Sequence, residues 1–81
     1  MANKSRLIAA KMSVLFKYTA LLMEHREVNF SKYSDLMVFE IGKDVRYIVD
    51  FSEEPENVVA SLDDVIKAIL ESLRESYRLT K

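Results

Sequence analysis

The chain has 81 residues, 49% of them hydrophobic and 31% charged, with a formal net charge of −1 and no cysteine. These figures exclude a second domain, a disordered chain, disulfide cross-links and any thiolate metal site. A domain of this size is marginal, with a stability of about 4 to 12 kcal/mol, and small folds often reach that by self-association.

The charge is unevenly spread. Residues 1–33 carry six Lys/Arg against Glu24 and Glu27, a formal +4, and residues 34–81 carry six against eleven Asp/Glu, a formal −5. Such asymmetry marks either a partner face or a basic helix packed beside an acidic one, and the second is the expectation here.

From Leu7 to Glu24 there is neither Gly nor Pro, and the residues suit a helix over about 5–26. Arg6, Ser13, Lys17 and Glu24 fall on one narrow stripe of this helix, and the remainder is apolar apart from Lys11 and Thr19. The apolar surface therefore covers well over half of the circumference, the pattern of a buried helix. Lys11 and Lys17 argue against a signal peptide or a membrane span, so the cytoplasm is the expected location.

Next along the chain, Val28 and Phe30 alternate with polar residues and fit a short edge strand. Residues 35–41 and 45–51 read as an antiparallel hairpin. A two-residue loop would set Phe39 against Arg46 and mix the faces. A loop of Gly42, Lys43 and Asp44 sorts them: Met37, Phe39, Ile41, Val45, Tyr47, Val49 and Phe51 share one face, and Leu36, Val38, Glu40, Arg46, Ile48 and Asp50 the other. Glu40 then stands opposite Arg46, and Gly42 supplies a positive φ.

Pro55 interrupts the chain. Val58 to Ala60 is expected as a short third strand, with Ser61 capping a last helix over about 62–79, in which Leu62, Val65, Ile66, Ile69, Leu70, Leu73 and Tyr77 recur at amphipathic spacing. Asp63 and Asp64 near its start and Arg74, Arg78 and Lys81 near its end suit the helix dipole.

The architecture is α+β: helix, two or three antiparallel strands, helix. Two helices cannot cover both hairpin faces and also bury an all-round apolar helix. A twofold homodimer is the expected solution, with Leu36, Val38, Ile48, Leu15 and Leu22 as the candidate dimer or partner surface.

Catalytic chemistry is thinly supplied. His25 is the only histidine, and the single glycine rules out glycine-rich phosphate loops. Asp50, Glu53, Glu54, Glu56, Asp63 and Asp64 cluster in sequence without the spacing of a calcium loop and read as a solvated turn. No catalytic residue, cofactor or metal is expected. Lys4, Arg6, Lys11 and Lys17 are the candidates for nucleic-acid contact. The sequence is best read as a non-enzymatic adaptor, regulator or inhibitor that occludes or bridges a protein partner, in the manner of viral and plasmid accessory proteins. A dimeric nucleic-acid-binding protein is the alternative.

Overall fold

The computed structural model describes residues 4–43 and 45–79. The elements run α1 (Lys4–Leu22), β1 (Val28–Tyr33), β2 (Leu36–Ile41), β3 (Val45–Asp50) and α2 (Pro55–Leu79). The three strands form one antiparallel sheet in the order β1-β2-β3, an α+β fold with a helix at each end of the chain.

Strand pairing follows side-chain alternation. Ile41 pairs with Val45, Glu40 with Arg46 and Phe39 with Tyr47, so the β2–β3 loop spans three residues, of which Asp44 lies outside the described residues. Gly42 has φ +64°, as the loop requires. The edge strand expected at Val28 and Phe30 extends to Tyr33, six residues in all, with Val28 opposite Ile41 and Tyr33 opposite Leu36. At the β1–β2 turn a non-glycine residue, Ser34, takes φ 55°.

One face of the sheet carries Val28, Met37, Phe39, Ile41 and Val49, all buried. They form the core with Leu15 and Leu22 of α1 and Val58, Leu62, Val65, Ile69 and Leu73 of α2. Both helices lie on this face. Phe16 of α1 meets Phe30 of β1 edge to face at 5.6 Å, and Phe30 meets Phe39 at 5.1 Å. Ala68 and Ser72 of α2 line a groove with Val45 and Tyr47 of β3. Thus α1 sits above the β1 edge and α2 above the β3 edge. Lys11 contacts Asp63, and His25 contacts Tyr77, so the helices run parallel in one register, with residue n of α1 level with residue n + 52 of α2.

Two expectations need correction. Val58 to Ala60 is not a strand but lies inside α2. Pro55 is not a break but the first helical residue, where its fixed φ suits the turn and its missing N–H costs nothing. The Glu54 carbonyl accepts from the amides of Asn57 at 2.9 Å and Val58 at 3.1 Å, so the helix starts six residues before Ser61. Val58 is buried because it precedes Leu62 and Val65 on the same helical stripe. The other correction concerns α1, which ends at Leu22 and is not enclosed. Only Leu15, Thr19 and Leu22 are buried along it. The Cα envelope measures 47 × 25 × 15 Å, two layers thick at its thinnest, so the described residues supply no third layer to cover the rest.

Candidate functional site

The sheet presents its second face to solvent. Alternation places Asn29, Ser31 and Tyr33 of β1 beside Leu36, Val38 and Glu40 of β2 and Arg46, Ile48 and Asp50 of β3. Tyr33 is 65% exposed, Ile48 53% and Leu36 38%, with Val38 half-buried between them. Glu40 Oε2 lies 3.4 Å from Arg46 Nε. The face is thus an apolar patch bordered at its Gly42 end by one ion pair. Leu36, Val38 and Ile48, inferred from the sequence as a partner surface, come together here. Tyr33, the most exposed of the group, escaped that reading because β1 was legible only at Val28 and Phe30.

The helical layer has an outward face too. At 100° per residue Val14 points about 160° away from Phe16, which meets the sheet. Leu7, Val14 and Leu21 recur at intervals of seven on that outward side and are 43%, 40% and 37% exposed. On α2, Leu70 stands about 160° from both Ala68 and Ser72, which face β3, so it too points away from the sheet. Leu15 and Leu22, the other two interface candidates, are 0% exposed and belong to the chain's own core. The surface a partner can touch on α1 is made by their neighbours Val14 and Leu21. The sequence pattern could not choose between these positions, because α1 is apolar on both sides and its orientation is set by β1 and α2.

The basic candidates are dispersed. Lys11 Nζ lies 2.5 Å from Asp63 Oδ1, tying α1 to α2, as expected of a basic helix beside an acidic one. Arg6 and Lys17 are exposed on the outer stripe, and Lys4 is half-buried.

The carboxylates do not converge. Asp50 accepts from the amide of Ser52 at 2.9 Å and from its hydroxyl at 2.6 Å. The Ser52 hydroxyl first, and the amide second, hold the Asp50 carboxyl below its ordinary value of 3.8. Glu53 accepts from Asn57 Nδ2, and Asp63 is engaged by Lys11. Among the described residues no three His, Asp or Glu side chains gather where they could hold a metal ion, and no buried side-chain nitrogen or oxygen lacks a partner. His25 is exposed, its ring 5.0 Å from that of Tyr77.

The arrangement defines a small α+β domain with an open sheet face and an outward helical face, both partly apolar. No family model, no curated protein and no solved structure matches the chain. Among the described residues no helix is long and apolar enough to cross a membrane.

Proposed function

We propose that this chain is a small non-enzymatic binding protein of the cytoplasm, a homodimer that acts as an adaptor, regulator or inhibitor by covering or bridging a protein partner. The open sheet face carries the reading: Tyr33, Leu36, Val38 and Ile48 make a compact apolar patch on it. Burying such side chains contributes about 25 cal/mol per Å², and exposed clusters of this kind mark interaction sites. The test is capture of partners by wild type and by Ile48→Asp. A protein held by wild type and lost with Ile48→Asp is the expected result, and an identical captured set overturns the assignment to this face.

A dimeric nucleic-acid binder is the second reading, favoured by the four Lys/Arg and no acidic residue between Lys4 and Leu22. It requires affinity for duplex DNA that falls steeply with salt and is abolished by Lys11→Glu with Lys17→Glu.

A further inference from the structure

The outward helical face has features suited to a second copy of this chain, and we infer that α1 of one protomer lies along α2 of its partner about a twofold axis parallel to the helices. The inference rests on the homodimer reading above and specifies which face forms the dimer.

Three observations converge on this face. The first is size. The 19 residues of α1 span about 28 Å, and two helices side by side present a width of about 18 Å, giving a footprint of roughly 500 Å². The open sheet face, six residues by three strands, offers only about 280 Å². A stable interface buries about 800 Å² of accessible surface per partner, so the helical face comes much nearer.

The second is spacing. Leu7, Val14 and Leu21 form a seven-residue seam on α1, and Leu70 and Tyr77 repeat the interval on the parallel α2. Repeats of seven are the pattern by which helices pack along one another.

The third is charge, which selects the axis. Between its first and last residues α1 carries four Lys/Arg and no acid, whereas α2 carries five Asp/Glu against three Lys/Arg. A twofold across the helices would stack basic α1 on basic α1. A twofold along them stacks basic α1 on acidic α2 and preserves axial level. Lys11 flanks the α1 seam on the side of its own α2, and Lys17 flanks it on the other side, about 60° from Val14. Glu71 lies on the far side of α2, lining the groove with Val45 and Tyr47 of β3. Within one protomer Lys17 and Glu71 stand at opposite edges of the helical layer. In the dimer Lys17 is level with the partner's Ile69, and the partner's Glu71 is two residues, about 3 Å, further along. The two sheet faces then point outward in opposite directions, so the dimer holds two copies of the Tyr33–Ile48 patch and can bridge two partners.

Light scattering across a dilution series tests the arrangement, with circular dichroism to verify the fold of each variant. Wild type is expected at twice the 9.4 kDa chain mass, Val14→Glu at the single mass and Ile48→Glu at the double mass. Lys17→Glu and Glu71→Lys, both at exposed positions, should each weaken dimerisation about two- to thirtyfold, and the two together should restore it. Because these residues cannot meet within one protomer, restoration shows contact between protomers. A wild-type mass of 9.4 kDa throughout overturns self-association and this inference together. A double mass that survives Val14→Glu but not Ile48→Glu overturns the helical face and leaves self-association standing. Failure of the charge swap to restore the dimer overturns the axis. Should Val14→Glu unfold, Leu70→Glu and the charge swap decide the same question.

Discussion

Lys11 of α1 and Asp63 of α2, 52 positions apart in the chain, meet at 2.5 Å and join the two helices at a partly exposed position. Exposed pairs contribute about 0.2 to 1 kcal/mol, and salt screens them. A double-mutant cycle of Lys11→Met and Asp63→Asn should return a coupling in that range that shrinks between low and 0.5 M salt. A coupling indistinguishable from zero at low salt would mean that the helices are aligned by their apolar faces alone.

Phe39 is fully enclosed on the covered sheet face, with Phe30 against its ring. Phe39→Ala removes a large side chain where the surroundings cannot collapse, at about 3 to 5 kcal/mol. Against a stability of about 4 to 12 kcal/mol that should remove a large part of the margin, read as a strongly lowered urea midpoint. Ile48→Ala, on the open face, should cost under about 1 kcal/mol in the monomer.

Two turn residues with positive φ should respond in opposite ways. Gly42→Ala introduces a Cβ at φ +64° and 3.0 Å from an Arg26 guanidinium nitrogen, so it should destabilise by about 1 to 2 kcal/mol. Ser34 adopts φ 55° with a side chain already present. Ser34→Gly relieves that strain and should be neutral or stabilising by up to about 1 kcal/mol. Thermal unfolding of the two variants checks the contrast.

Ala60 is exposed within α2, at a position the sequence pattern assigned to a strand. Ala60→Gly should cost about 1 kcal/mol, the helix-interior penalty, and lower the helical signal. An unchanged stability would favour an extended 58–60 segment.

Ser52 holds the Asp50 carboxyl below its ordinary value, so the unfolded chain binds the proton more readily than the folded one. The contribution to stability is complete above pH 3.8 and is lost as the pH falls through the lower folded value. Ser52→Ala should therefore weaken the fold at pH 7, by an amount that shrinks as the pH falls below 3.8. Urea midpoints at pH 7 and at acid pH measure this.

The legibility of this fold in its sequence varies with how far each signal is local. The hairpin register was readable because only one loop length separates Phe39 from Arg46, a constraint contained within seventeen residues. The start of α2 was not, because Val58 and Val59 have strand-like side chains and Pro55 reads equally as a stop or a first helical residue. Burial of Val58 beneath the sheet settles the choice, and that is tertiary. The same holds for the open faces: Leu36, Val38 and Ile48 followed from alternation, whereas the outward side of α1 depends on Phe16 meeting Phe30.

Three strands separate the two helices, and the four reversals of direction, an even number, oblige α1 and α2 to point the same way. Their peptide dipoles therefore add instead of cancelling, with the negative ends together. At that end Arg26, Arg74 and Arg78 share one groove with Glu71 and Glu75, an excess of one positive charge. The parity of the meander thus gives the molecule an electrical polarity along its length, and the arginines lie at its negative pole.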